Sequence, residues 1–123
     1  MNNKEFGRTG EKAAAKEYIE RGYLIVDTNF MSKRRNEIDI ICTDGNYICF
    51  VEVKTRSGTA FGEPSDSGNA VKQQRIRLAA QAFLGMHENL CYARLQPRFD
   101  VCSVVMPRTD SSEPKILIIE NAF

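Results

Sequence analysis

Residues 37–54 read Glu37-Ile38-Asp39-Ile40-Ile41-Cys42-Thr43, then Asp44-Gly45-Asn46, then Tyr47-Ile48-Cys49-Phe50-Val51-Glu52-Val53-Lys54. Asp-Gly between two apolar runs is a strong hairpin signal. Side chains alternate along a strand, so Glu37 and Asp39 share one face of the first arm, and Glu52 and Lys54 share one face of the second. A loop of Asp44-Gly45 sets Asp39 opposite Phe50, whereas a loop of Gly45-Asn46 sets it opposite Glu52. In either register both charged faces lie on the same side of the sheet. Like charges facing each other destabilise a sheet. A divalent cation is the obvious neutralising partner for so many carboxylates beside one ammonium.

The other hairpin face holds Cys42 and Cys49 among Ile38, Ile40, Val51 and Val53. Buried free thiols are the simplest reading. In the second register the two cysteines face each other and a disulfide is conceivable, but a reducing cytoplasm opposes it. With Cys91 and Cys102 they show no CxxC spacing or histidine partner, which argues against zinc.

Around the hairpin the chain reads as one domain of 123 residues with ordinary hydrophobic and charged content. No apolar run approaches the roughly 20 residues that span a bilayer. The first residues lack the apolar core of a secretory signal, so a cytoplasmic location is expected. A net charge of +1 excludes a histone-like electrostatic mode of nucleic-acid binding. Charge placement says more. Lys33-Arg34-Arg35 precedes the acidic strand, Lys54-Thr55-Arg56 ends the hairpin, and Lys72, Arg75 and Arg77 follow on a helix. Each cluster alone could be solvated surface; together around an acidic patch they suit a polyanion held by its phosphates.

A first helix is expected over about Thr9–Arg21, capped by Thr9, ended by Gly22, with Ala14, Ala15, Tyr18 and Ile19 as its apolar stripe. Glu11 lies on the same inward face, although an acid near a helix N-terminus is also favourable for itself. Tyr23–Phe30 reads as a strand, and the glycine- and proline-rich Thr55–Gly68 as a long loop beside the charged patch. Asn69 to about Glu88 has helical periodicity in Ile76, Ala79, Ala80, Phe83 and Leu84. Its His87 reads as a charge partner of the helix C-terminus. Arg98–Met106 and Lys115–Glu120 read as further strands separated by a turn-rich Pro107–Pro114. Ile116-Leu117-Ile118-Ile119 suits either core or interface. The order αβββαββ gives a mixed sheet flanked by helices.

Asp39 followed by Glu52-Val53-Lys54 on the next strand, with Glu11 on a preceding helix, resembles the PD-(D/E)xK nuclease superfamily, whose fold is restriction-endonuclease-like. A closer resemblance rests on Gly7-Arg8-Thr9-Gly10-Glu11, Glu37-Ile38-Asp39, Phe50-Val51-Glu52-Val53-Lys54-Thr55-Arg56, Phe61-Gly62, Arg98-Phe99-Asp100 and Asn121-Ala122-Phe123. This ordered set is similar to the bacterial YraN family, read as endonucleases distantly similar to archaeal Holliday junction resolvases. One departure is Asn36, where that family usually has Gly before Glu-Ile-Asp. Asn tolerates positive φ, so a retained turn is expected there.

The resemblance implies hydrolysis of phosphodiester bonds in DNA, branched or junction DNA included. Asp39, Glu52 and the Val53 carbonyl would hold Mg²⁺ or Mn²⁺, a hard cation suited to oxygen ligands. Lys54 would orient or deprotonate the attacking water or offset phosphate charge, and Glu11 would assist; these two, with Asp39 and Glu52, are the candidate catalytic residues. Glu37 is expected in an outer shell, and Arg35, Arg56, Lys72, Gln73 and Arg75 on the substrate. Junction cutting would further imply a homodimer. A competing reading is a non-catalytic nucleic-acid-binding module on the same fold. A third is a merely solvated sheet face, for which Asp39→Asn changes neither metal binding nor melting temperature in Mg²⁺.

Overall fold

The computed structural model describes residues 2–58, 70–107 and 113–123. The elements run α1 (Asn3–Glu20), β1 (Leu24–Met31), β2 (Glu37–Thr43), β3 (Tyr47–Ser57), α2 (Ala70–Leu84), a 3₁₀ segment (His87–Arg94), β4 (Gln96–Met106) and β5 (Lys115–Ile119). The expected order is therefore present, with the 3₁₀ segment added. Phe61-Gly62, most of the expected 55–68 loop, Asn69 and residues 108–112 lie outside the described residues.

The five strands form one sheet in the order β1-β2-β3-β4-β5. β1, β2 and β3 are antiparallel neighbours, β3 and β4 are parallel, and β4 and β5 are antiparallel. The parallel pair needs a long crossover, which α2 supplies. α1 covers one face with Ala14 and Tyr18 packed on Ile40, Cys42, Cys49, Val51, Cys102 and Val104. α2 covers the other, with Ile76, Ala79, Ala80 and Phe83 packed on Ile38, Ile41, Ile48 and Phe50. Each large side chain buried this way contributes about 1.5–3 kcal/mol.

α1 begins six residues before the expected start, at Asn3. Asn2 is the cap, its side chain accepting from the Glu5 N–H at 2.8 Å. Thr9 lies inside the helix and donates its hydroxyl to the Glu5 carbonyl, 2.8 Å away. Gly7 disguised this first part, because glycine lowers helix propensity. The end is as read: Gly22 has φ +94°, and Tyr23 N–H bonds the Tyr18 carbonyl at 3.0 Å while Gly22 N–H bonds that of Ile19. That pair of bonds is a Schellman motif. Ile19, expected in the stripe, is exposed.

α2 stops at Leu84, four residues short of expectation. Gly85 breaks it, and His87 opens the 3₁₀ segment as an exposed residue instead of completing the helix. β3 extends to Ser57, so Thr55 to Ser57 belong to the strand and not to the loop. β5 is an edge strand: Ile116 and Ile118 pack toward the α1-side core, while Leu117 points outward at 41 % exposure.

The hairpin adopts the second register, with Cys42 opposite Cys49 and Ile40 opposite Val51. Both cysteines are buried and free. Their mutual hydrogen bond, with burial, pushes the Cys42 thiol far above its ordinary pKa. The turn is held by Asp44, whose carboxylate accepts from Asn46 and Tyr47 N–H groups at 2.8 and 2.9 Å. Gly45 supplies a φ of +96°.

A candidate metal and phosphodiester site at the open end of the hairpin

Regular β2–β3 pairing ends at Ile40–Val51, one pair short of Asp39 and Glu52. Beyond that point the ladder opens, and the Asp39 side chain takes over as acceptor: Val53 N–H donates to its Oδ2 at 2.8 Å. The opening also re-aims Ile38, which joins the α2-side core and not the α1-side core of Ile40. The expected alternation, with Ile38 beside the cysteines, fails for this reason. Val53 meets the site here through its N–H.

Asp39 is half-buried. Burial pushes its pKa up to about 7 against the downward pull of the Val53 N–H, and the carboxylates of Glu11, Glu37 and Glu52 add to the rise. The four acids thus form one electrostatic unit with Asp39 at its centre. Glu11 is brought in by close contact between helix and sheet. A Cβ built on Gly10 would lie 1.9 Å from Thr55 Oγ1 of β3, so only glycine allows α1 to cross there. Asn29 then ties the helix to β2, donating Nδ2 to Glu11 Oε1 at 2.8 Å and to Glu37 Oε1 at 3.3 Å. Its φ of +52° aims the amide out of β1. Sequence reading missed Asn29, although a polar Asn inside a predicted strand runs against strand propensity and was a usable signal.

Glu52 is 5 % exposed, and neither carboxylate oxygen has a hydrogen-bond donor in good alignment. Two cations lie by distance alone: Lys72 Nζ is 2.5 Å and Lys54 Nζ 3.7 Å from Oε1. A buried charge is costly unless it is paired or binds a metal. Among the described residues no three His, Cys, Asp or Glu side chains converge as a metal cluster. The candidate donor set is smaller: Asp39 and Glu52, hard oxygens on adjacent strands, with two oxygens of Glu52 short of hydrogen bonds. That chemistry fits Mg²⁺ or Mn²⁺.

The basic residues divide. Arg35 and Arg75 line one groove of about 750 Å³ together with Arg34, Glu37 and Lys72, next to Glu52. Arg56 lies on β3 two residues past Lys54, on the same side of the strand. Gln73, half-buried on α2, makes no hydrogen bond to the Glu52 carboxylate. Arg77 turns away entirely; its guanidinium sits 5.7 Å over the Phe99 ring and 5.5 Å over Phe123. The turn before β2 is kept, but by a different residue from the one expected. Arg35 carries the positive φ, +64°, and Asn36 instead donates its N–H to Ser32 Oγ at 3.1 Å.

The Arg98-Phe99-Asp100 and Asn121-Ala122-Phe123 motifs form one clamp around the buried Asp100, away from the other acids. Asp100, fully buried, accepts from Tyr18 Oη, from Arg98 Nε and Nη2, and from Asn121 N–H at 2.9–3.0 Å. Burial alone would lower the Arg98 pKa; the bonds to Asp100 and Tyr23 outweigh it and hold it above the ordinary value. Ala122 N–H bonds the Phe99 carbonyl at 2.6 Å, and the Phe99 and Phe123 rings stack 5.3 Å apart.

Proteins with this sequence pattern are known. The family described as "Uncharacterised protein family UPF0102" matches residues 10–104. A UPF0102 protein of Acetivibrio thermocellus is 42 % identical over 99 % of this chain and 93 % of its own length. One of Caldicellulosiruptor bescii is 42 % identical over the whole of both chains. Another, from Caldanaerobacter subterraneus, is 39 % identical over all of this chain and 98 % of its own. The match spans both motif clusters, and the chain belongs to the UPF0102 family, the YraN family that its motifs resemble.

Proposed function

We propose that this chain is a metal-dependent nuclease that hydrolyses phosphodiester bonds in DNA, branched or junction DNA included, in the cytoplasm. The observation that carries the reading is Glu52: a buried carboxylate without an aligned hydrogen bond, ion-paired with Lys72 and Lys54 and one strand from Asp39. Asp39 and Glu52, with the Val53 carbonyl, would hold Mg²⁺ or Mn²⁺, which when bound supplies Lewis acidity and acidifies water. The chain's own residues do the rest. Lys54 orients the attacking water or offsets charge developing on the phosphate. Glu11, held by Asn29, assists from α1, and Glu37 positions that same amide from the outside. Arg35, Arg56, Lys72, Gln73 and Arg75 hold flanking phosphates. For junction cutting the active unit is a homodimer. No described helix is long and apolar enough to cross a membrane.

One observation favours a second reading, a nucleic-acid-binding module without turnover: the Lys72 ammonium already lies 2.5 Å from Glu52 Oε1. Cleavage of a labelled four-way junction, a flap, single strands and a folded RNA in Mn²⁺ and Mg²⁺ separates the two. Wild type is run beside Asp39→Ala and Lys54→Met. The nuclease reading expects cutting by wild type alone, with the loss on the order of 10²-fold or more. Equal cutting by all three exposes a contaminant and removes support. Tight binding with no cutting, indifferent to divalent metal, replaces it with the module reading.

A further inference from the structure

Beside the basic groove lies a second groove of about 620 Å³ whose chemistry is different. Its floor is apolar: Phe30 and Met31 from β1, and Leu78, Ala82 and Met86 at the C-terminal end of α2 and just past it. Three of these remain open to solvent, Met31 at 52 %, Leu78 at 38 % and Met86 at 37 % exposure. Phe30 is braced edge-on by Phe83 at 5.3 Å, which makes the floor firm. The rim carries Lys33, Arg34, Asn36 and Gln81, and no acidic side chain lines it among the described residues.

Arg34 and Asn36 line both grooves, so the two are continuous. Along α2 the basic stretch at Lys72 and Arg75 gives way to the apolar stretch at Leu78 and Ala82. From Arg75 to Ala82 is about 10 Å at 1.5 Å per residue, within the reach of a short run of unstacked nucleotides. A strand of nucleic acid matches this sequence of surfaces. Its phosphates suit the arginines, while an unstacked base offers an apolar face to the methionines and leucine and polar edges to the Asn36 and Gln81 amides. A base inside a duplex cannot reach the floor, because its faces are already stacked.

Resting on the nuclease reading for the role of the neighbouring acids, we infer that the groove over Met31, Leu78 and Met86 binds an unpaired base, so that the substrate class is nucleic acid with a single-stranded segment beside the phosphates gripped by Arg34 and Arg75. Fluorescence anisotropy in EDTA, with a labelled blunt duplex, single strand and flap, tests this without cleavage. Wild type is expected to bind the flap and single strand about tenfold more tightly than the duplex, the size of one stacked base. Leu78→Glu removes that preference, its added carboxylate weakening all three ligands by a common factor besides; Arg75→Ala weakens all three ligands alike and keeps the preference. Should Leu78→Glu fail to fold by circular dichroism, Met31→Gln, at a more exposed position, carries the same expectation for the preference. Equal binding of duplex and flap by wild type overturns the inference, as does a preference that survives in folded Leu78→Glu or Met31→Gln protein. Self-association of wild type in sedimentation, lost in Leu78→Glu, also overturns it by assigning the groove to a second copy. Because binding is read without metal, an absence of cleavage leaves this inference standing, and cleavage without a flap preference defeats it while sparing the nuclease reading.

Discussion

Asp39 is the residue where the local chemistry is most sharply set. Its carboxyl is raised by burial and by Glu11, Glu37 and Glu52 to a pKa of about 7, against an ordinary unfolded value of about 3.9. Below about pH 4 the group is protonated in both states. Between there and pH 7 the native state keeps a proton that the unfolded state has released, so stability falls as pH rises. The gap between the two values amounts to at most about 4 kcal/mol, fully imposed above pH 7. Urea unfolding in EDTA from pH 4 to 8 should show wild type losing stability relative to Asp39→Asn across that window. Parallel curves for the two proteins would show that the carboxyl titrates normally. Glu11→Gln takes away one like charge and is expected to lower the Asp39 pKa, readable as the midpoint of its carboxyl signal by nuclear magnetic resonance.

Among the elements, α1 has the strictest geometric requirement. Its seat on β3 depends on Gly10, since any Cβ would collide with Thr55 Oγ1 at 1.9 Å, Cγ2 at 2.6 Å and Cβ at 2.8 Å. Gly10→Ala is therefore expected to destabilise by about 1–3 kcal/mol through overpacking, despite alanine's better helix propensity. Thr55→Ala in the same chain should recover only part, because the Thr55 Cβ contact remains. Thermal unfolding checks both, and a Gly10→Ala protein as stable as wild type would mean that α1 has room to move. The start of the helix that sequence placed at Thr9 was hidden because Gly7, which looks like a preceding loop, is helical; Gly10, inside the expected span, serves a contact across 45 residues of chain. The hairpin, by contrast, was readable, because Asp44-Gly45 and the alternating apolar residues are themselves the cause of the turn and the strands.

At the scale of the whole molecule, α1 and the C-terminal segment meet on β4. Tyr18 comes from α1, Asn121 from the C-terminal segment, and both bond the buried Asp100. Asp100→Ala leaves the Arg98 guanidinium buried without its closest partner and is expected to cost about 3–5 kcal/mol. Removing residues 121–123 deletes the Asn121 and Ala122 bonds and the Phe123 stack, and should lower the melting temperature as well. Differential scanning calorimetry of both variants measures this; an unchanged midpoint after truncation would show the clamp to be dispensable.

By itself the sequence determined the order of the helices and strands, the hairpin, and the nearness of Asp39, Glu52 and Lys54 on its two arms. These follow from periods of 2 and 3.6 residues and from turn chemistry, all of which act over a few neighbouring positions. Only the tertiary structure decided that the ladder opens at Asp39, that Asn29 links Glu11 to Glu37, and that Lys72 pairs with Glu52. It alone joined Arg98-Phe99-Asp100 to the chain's last three residues and set the apolar groove beside the basic one. Each of these contacts joins residues distant in sequence, and its existence depends on how closely α1, α2 and the sheet can approach, which no local pattern encodes.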